Sequence, residues 1–183
     1  MRAKGDFYLR LFIALDVNRQ TRAALSALQQ AMQRLGIEGN YVPAGNFHVT
    51  LRFLGETDRL GEIGLAMDAF VRGIRPFQLR LEEYVTFGPS TAVVRCGGDG
   101  GELRRLFESA QAALSDAGFP RESRPLIPHI TLARRTTPHA GQVAALNEAL
   151  QKAAFFVDHV TLYESVRNRY GVMEYRPLQK SAF

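Results

Sequence analysis

Two histidines, His48 and His129, are each followed two residues later by a threonine, Thr50 and Thr131. Residues i and i+2 of a strand point to the same face, so each H-x-T segment presents an imidazole and a hydroxyl together. A neutral imidazole takes a proton from the attacking water, and a protonated imidazole donates a proton to the leaving oxygen. Hydroxyls bind the phosphoryl oxygens. The four residues predict phosphodiester cleavage without a metal, with the histidines catalytic and the threonines binding substrate.

The two motifs occupy equivalent places in an internal repeat. His129 follows His48 by 81 residues, and the same offset carries Phe12 to Val93 and Leu25 to Leu106. A strand, a helix and an H-x-T strand therefore occur twice. Repeated units that cannot bury their faces alone pack together. We expect an α+β fold over residues 1–183 as one domain, with two pseudo-symmetric lobes and a central cleft lined by the H-x-T strands.

Hydrophobic periodicity and turn residues predict the elements of this fold. Asn18 is a suitable cap for the first helix, and glycines or prolines end several segments. The predicted strands are 9–17, 47–54, 77–87, 91–96, 129–134, 155–165 and 172–178, and the predicted helices are 19–35, 59–71, 103–117 and 142–153.

Four segments of the chain resemble the 2H phosphoesterase superfamily, and within it the RNA 2′,3′-cyclic phosphodiesterase (2′-5′ RNA ligase) family. They are R-L-F-I-A-L-D-V (10–17), N-F-H-V-T-L-R-F-L-G (46–55), P-L-I-P-H-I-T-L-A-R (125–134) and L-Y-E-S (162–165). The resemblance implies hydrolysis of an RNA terminal 2′,3′-cyclic phosphate to a 2′-phosphate, no cofactor, and weak reverse 2′-5′ ligation. The sequence departs from the family's pattern after L-Y-E-S, where it reads V-R-N-R-Y-G.

The resemblance assigns Arg134 to the phosphate, beside the acid–base pair His48 and His129. Strict alternation along a strand turns Arg134 away from His129, so this role requires a twist or bulge. Arg52, which alternation places on the His48 face, is the competing substrate-binding arginine. We assign His48 as the acid for the 3′ leaving oxygen and His129 as the base for water, with the exchanged roles as the alternative.

The remaining candidate residues are a third histidine motif and three aromatic rings. His159-Val160-Thr161 is a third H-x-T segment, but it lies outside the repeat and is predicted to have no catalytic role. The chain contains no tryptophan to stack a base. Tyr41, Phe47 and Phe53 are therefore the candidate platforms, with core packing as the alternative for each.

Composition sets the remaining expectations. A net charge of +5 and a sequence pI near 9.7 favour a polyanionic partner. The single cysteine excludes an intrachain disulfide and a cysteine metal cluster, and favours the reducing cytoplasm. No segment predicts secretion or membrane insertion. We expect a cytoplasmic monomer that acts on RNA ends such as those of tRNA fragments, without a metal. The alternatives are another 2H activity, on cyclic nucleotide phosphates or 2′-5′ oligonucleotides, and an RNA-end binding module.

Overall fold

Two antiparallel sheets and four helices make up residues 8–183, the part of the chain that the computed structural model describes. The strands are β1 (Leu9–Asp16), β2 (Asn40–Tyr41), β3 (His48–Thr57), β4 (Phe77–Phe87), β5 (Thr91–Gly98), β6 (His129–Arg134), β7 (Ala154–Val157), β8 (His159–Arg167) and β9 (Met173–Ala182); the helices are α1 (Arg19–Arg34), α2 (Leu60–Phe70), α3 (Gly100–Asp116) and α4 (Ala140–Ala149). The first sheet has the strand order β3-β1-β8-β9 and the second β2-β6-β5-β4-β7. The α+β class is therefore confirmed.

The helices that follow the central strands begin at side-chain caps. The Asn18 side chain accepts a hydrogen bond from the backbone N–H of Thr21 at 2.8 Å, as predicted for the start of α1. At α3 the Asp99 side chain accepts from Gly101 and Glu102. Each cap satisfies backbone donors that have no partner within the helix.

The internal repeat is present in three dimensions, and its helices are exchanged between the two sheets. The 81-residue offset carries Arg19, the first residue of α1, to Gly100, the first residue of α3. Yet α1 packs on α4 and on β7 of the second sheet, while α3 packs on α2, which contacts β9 of the first. Asn18 and Thr21 both donate to the Ala154 carbonyl of β7. The two lobes are therefore interlocked.

The C-terminal third differs from the sequence prediction. The helix predicted over 142–153 ends at Ala149, because Leu150 is buried in an extended conformation and starts the turn into β7. The strand predicted over 155–165 is two strands, β7 and β8, which separate at Asp158 and join different sheets. The two-residue strand β2 was not predicted, since so short a pairing leaves no periodic pattern.

A single cluster of buried apolar side chains joins both sheets to the helices. It includes Ile13 and Val49 of the first sheet, Val94 and Ile130 of the second, and Leu25 of α1. Within residues 8–183, no helix is long and apolar enough to cross a membrane. Burial on one face of β3 and β6 leaves the opposite face, which carries His48 and His129, outside this core.

Candidate active site

The two H-x-T strands occupy matching positions in the two sheets. β3 pairs with β1, and β6 pairs with β5, which is the equivalent of β1 in the repeat. In both strands the histidine and threonine are partly exposed, while the residue between them is buried. β3 and β6 also contact each other. The predicted cleft therefore has one H-x-T strand on each side.

The imidazoles of His48 and His129 are held in the same way. Nδ1 of His48 lies 2.7 Å from the carbonyl oxygen of Asn46, and Nδ1 of His129 lies 2.7 Å from that of Ile127. A carbonyl oxygen only accepts, so Nδ1 carries the proton in both neutral rings, and Nε2 is left with its lone pair. Nε2 of His48 lies 3.0 Å from Oγ1 of Thr50, which donates to it.

Burial and nearby charges determine the pKa of His48. Burial is the largest effect and lowers its pKa to about 4; the positive charges of His129 and Arg134 act in the same direction. The hydrogen bond to Asn46 and the negative charge of Asp16 oppose the decrease. His48 is therefore neutral at pH 7 in the free protein. These effects agree with the contact between β3 and β6, which carry the two histidines and Arg134.

Arg134 follows a bulge in β6, the irregularity that its predicted role requires. In the β5–β6 pairing Val93 lies opposite Thr131 and Ala92 lies opposite Ala133, so Leu132 is an extra residue in β6. Cross-strand partners point to the same face. The bulge therefore shifts the alternation by one residue and places Arg134 on the face of Thr131 and His129.

The same bulge in β3 overturns the prediction for Arg52. Ala14 lies opposite Thr50 and Ile13 lies opposite Arg52, so Leu51 is the extra residue here. Arg52 consequently turns away from the His48 face and is only 7% exposed. Its guanidinium donates to the Pro120 carbonyl, and Nη1 lies 3.9 Å from Glu122.

Arg52 thus fastens β3 to the loop that leads to β6, and the prediction that it shares the His48 face is wrong. Phe53 takes that face instead, at the repeat position that Arg134 occupies in β6. It is 62% exposed and its ring lies 5.9 Å from Phe12. Of the other candidate platforms, Phe47 is buried in the core, and the Tyr41 hydroxyl donates to the Ile37 carbonyl.

Asp16 is a feature of the site that sequence reasoning missed. It lies directly opposite His48 in the β1–β3 pairing, so both side chains project from the same face. Its carboxylate accepts hydrogen bonds from the Tyr163 hydroxyl at 2.6 Å, Thr161 at 3.1 Å and Lys180 at 2.9 Å. The sequence signal that could have identified Asp16 is a carboxylate at the end of the apolar strand β1.

The third H-x-T segment belongs to this polar cluster. Nε2 of His159 lies 3.0 Å from the Asp16 carboxylate, and Nδ1 faces the Asp158 carboxylate. Its threonine, Thr161, is fully buried and donates to Asp16 as well. The absence of a catalytic role for His159 stays a prediction.

Aromatic rings line the cleft around both histidines. Phe12 lies 4.9 Å from the His48 ring and stacks on Tyr163, while the edge of Tyr175 meets His48 at 5.2 Å. On the other side Phe87 lies 4.8 Å from His129. Apolar rings restrict water around His48, which is the origin of its low pKa. Among residues 8–183, no three His, Cys, Asp or Glu side chains are grouped as metal ligands.

Fold and site together define a two-histidine phosphoesterase: a bilobal α+β protein with one H-x-T strand from each lobe at a shared cleft. Residues 27–169 match the family model of the 2′-5′ RNA ligase superfamily. The chain belongs to this superfamily, which confirms the resemblance noted in its sequence, and it is an enzyme of the phosphoesterase class.

Relatives and solved structures agree with this assignment. An RNA 2′,3′-cyclic phosphodiesterase from Methanocaldococcus jannaschii is 29% identical, over 86% of this chain and 91% of its own. One from Aeropyrum pernix is 31% identical, over 80% and 88%. Apo LigT from E. coli superposes with a TM-score of 0.76 at 27% identity, covering 97% and 98% of the two chains. LigT complexed with 3′-AMP gives a TM-score of 0.72 at 26% identity, over 96% and 98%.

Proposed function

We propose that this enzyme hydrolyses the terminal 2′,3′-cyclic phosphate of RNA to a 2′-phosphate, with His48 and His129 as the acid–base pair and without a metal. The observation that carries the proposal is the matched pair of imidazoles, each with Nδ1 bonded to the carbonyl two residues before it. This arrangement leaves two Nε2 atoms for proton transfer. The names of the relatives and the nucleotide in the LigT complex support the choice of substrate.

The reaction needs two proton transfers. The base takes a proton from water, whose oxygen attacks phosphorus; the P–O3′ bond breaks, and the acid gives its proton to the 3′ oxygen. The product carries a 2′-phosphate and a 3′-hydroxyl. Because His48 and His129 lie on opposite lobes, one imidazole is available to each of the two oxygens. They regain their starting protonation states by exchanging protons with water.

Three further groups are assigned to the phosphate. The Thr50 hydroxyl, which donates to Nε2 of His48 in the free protein, rotates to a phosphoryl oxygen, and Thr131 does the same from β6. Arg134 contributes a charge-assisted hydrogen bond to the same oxygens. Each interaction strengthens as negative charge develops in the transition state.

His48 must gain a proton before it can act as the acid. An acid must be protonated in the complex, yet burial keeps the pKa of His48 at about 4 in the free protein. A bound phosphate anion raises an imidazole pKa, because opposite charges favour the protonated form. We assign His48 as the acid in the complex, with its proton acquired as substrate binds, and His129 as the base for water.

The proposed 2′-5′ ligation, which is the reverse of the cleavage of a 2′-5′ linkage, uses the same groups. A 5′-hydroxyl that replaces water as the nucleophile gives a 2′-5′ linkage, and the base for water becomes the base for this hydroxyl. Water is present at far higher concentration than RNA ends, so hydrolysis dominates. Ligation is therefore proposed as a weak reverse activity.

A substrate panel in EDTA tests the proposal. We expect turnover of an RNA oligonucleotide ending in a 2′,3′-cyclic phosphate, with the 2′-phosphate product identified by ³¹P NMR. If a 2′-5′ dimer or a mononucleotide cyclic phosphate were turned over faster than this RNA end, the enzyme would have a different 2H activity. Binding of the RNA end without turnover would make the protein a binding module. Loss of activity in EDTA, restored by a metal, would contradict the metal-free mechanism.

A further inference from the structure

The tip of the β8–β9 hairpin, residues 167–172, is a charged and aromatic surface next to the active site. It contains two exposed arginines, Arg167 and Arg169, and Tyr170 is 73% exposed. The Arg169 guanidinium lies over the Tyr170 ring, 4.7 Å from its centroid. The exposed ring and the cation over it together form a surface that a nucleic-acid base and a phosphate can contact.

The tip is held in one conformation by its own hydrogen bonds. The Asn168 side chain accepts from the backbone N–H groups of Tyr170 and Val172, both at 3.0 Å. The Arg167 guanidinium donates to the Gly171 carbonyl at 2.9 Å. Gly171 has a φ of 77°, which a glycine adopts without strain. Because its backbone is already ordered, the tip loses little conformational entropy when it binds a ligand.

The hairpin is tied to the catalytic histidine. The Asn46 side chain donates to the Met173 carbonyl at 2.7 Å, and the Asn46 carbonyl accepts from Nδ1 of His48. Tyr175, two residues further along β9, meets the His48 ring. Met173 is three positions after Tyr170 in the chain, which limits their Cα atoms to about 10 Å apart. The distance from the tip to the reacting phosphate is therefore no more than the length of a few nucleotides.

The chemistry of the tip suits single-stranded RNA. Arginine pairs with phosphate oxygens, and bases stack on exposed aromatic rings whatever their sequence. Two acidic residues in the adjoining strands are Glu174, which accepts a hydrogen bond from the Asn168 side chain, and Glu164, which lies opposite Arg176 in the β8–β9 register. Both lie in the paired strands, so the tip itself presents two positive charges.

We propose that this tip binds the RNA strand on the 5′ side of the terminal cyclic phosphate, with Tyr170 stacked on a base and Arg169 and Arg167 paired with backbone phosphates. The inference rests on the proposed function, because it assumes that the reacting end is that of an RNA chain. It predicts that the enzyme distinguishes an oligonucleotide from a mononucleotide by contacts outside the catalytic site.

Two substrates and three variants test the proposal. Tyr170→Ala and Arg169→Ala are compared with wild type and with Phe156→Ala, a control ring in the second sheet that is 61% exposed. For an oligonucleotide ending in a 2′,3′-cyclic phosphate, we expect Tyr170→Ala to lower kcat/KM roughly 5- to 150-fold, the range for loss of one stacked base. The cyclic mononucleotide should be turned over at the wild-type rate by all variants. Arg169→Ala should also flatten the salt dependence for the oligonucleotide.

Binding separates this inference from the proposed function. Fluorescence anisotropy with an RNA oligonucleotide carrying a 2′-phosphate end measures affinity whether or not the enzyme turns over. Weaker binding by Tyr170→Ala, with Phe156→Ala unchanged, supports the hairpin contact even if the proposed activity fails. Equal affinity of wild type and Tyr170→Ala overturns it, as does an equal loss of kcat/KM on mononucleotide and oligonucleotide.

Discussion

Replacing Asp16 by asparagine tests the polar cluster beside His48. Burial by itself raises the pKa of Asp16, but hydrogen bonds from Tyr163, His159 and Lys180 more than compensate and lower it from 3.8 to about 2. At about 1.4 kcal/mol per pKa unit, the difference corresponds to about 2.5 kcal/mol. The side chain is 22% exposed. Screening by water therefore reduces the expected loss for Asp16→Asn to about 1–2 kcal/mol at pH 7.

The direction of the Asp16 pKa shift determines how the free energy of unfolding depends on pH. The folded-state pKa of Asp16 lies below the unfolded value, so the carboxylate stabilises the protein above about pH 4, and this contribution is lost as the pH falls through about 2. Urea unfolding of wild type and Asp16→Asn should therefore differ at pH 7 and pH 5 and converge near pH 2. Asp158→Asn, at a carboxylate that is 59% exposed, is the matched control and should change little.

The same substitution affects catalysis in a predictable direction. The negative charge of Asp16 raises the pKa of His48, so its removal should move the limb of the pH–rate profile that reports His48 to lower pH. A stability difference that persists unchanged below pH 2 would refute the assignment of the charge. An unmoved pH–rate profile would show that Asp16 supports the fold without influencing His48.

Three further predictions concern the site. His48→Ala and His129→Ala should each lower kcat by at least the roughly 10²- to 10⁴-fold typical of acid–base catalysis. The double mutant should lose much less than the two single losses multiplied together, whereas His159→Ala should keep most of its activity. An unchanged circular dichroism spectrum excludes unfolding as the cause. Arg134→Ala should weaken product binding by about 1–3 kcal/mol in calorimetry. Arg52→Ala should instead lower the free energy of unfolding, and a loss of product affinity in Arg52→Ala alone would contradict the assignment from the bulges. In NMR titration, a nucleoside 2′-phosphate should raise the His48 pKa from about 4; an unchanged value would exchange the acid and base roles.

Periodicity and repetition predicted most of the fold. The bounds of β4 and β6 agree with the sequence prediction residue for residue, because turn residues and loop prolines flank long apolar patterns. The offset of 81 residues between the histidines also predicted that β3 and β6 take equivalent places. The exchange of α1 and α3 between the sheets was not predictable from these patterns, since an amphipathic helix does not specify which sheet its apolar face covers.

The arginines show where strand alternation fails. A period of two assigned Arg52 to the cleft and Arg134 away from it, and a one-residue bulge in each strand reverses both. The repeat contained the missing signal. It aligns Arg52 with Ala133, which is buried, and Phe53 with Arg134. An apolar residue at the Ala133 position indicates an inward-facing site, so the repeat was a better guide than alternation within one strand.

The repeat gives the two histidines equal backbone positions, but the side chains around them differ. His48 lies against Phe12 and Tyr175 and opposite Asp16, whereas His129 contacts Phe87 and shares its face with Arg134. Hydrolysis of a cyclic phosphate requires one acid and one base, so two identical imidazoles would have to be differentiated by the substrate alone. Here the surroundings already separate them. Duplicated strands supply the geometry of the pair, and the residues that break the symmetry give His48 the buried, apolar surroundings that keep it neutral in the free protein.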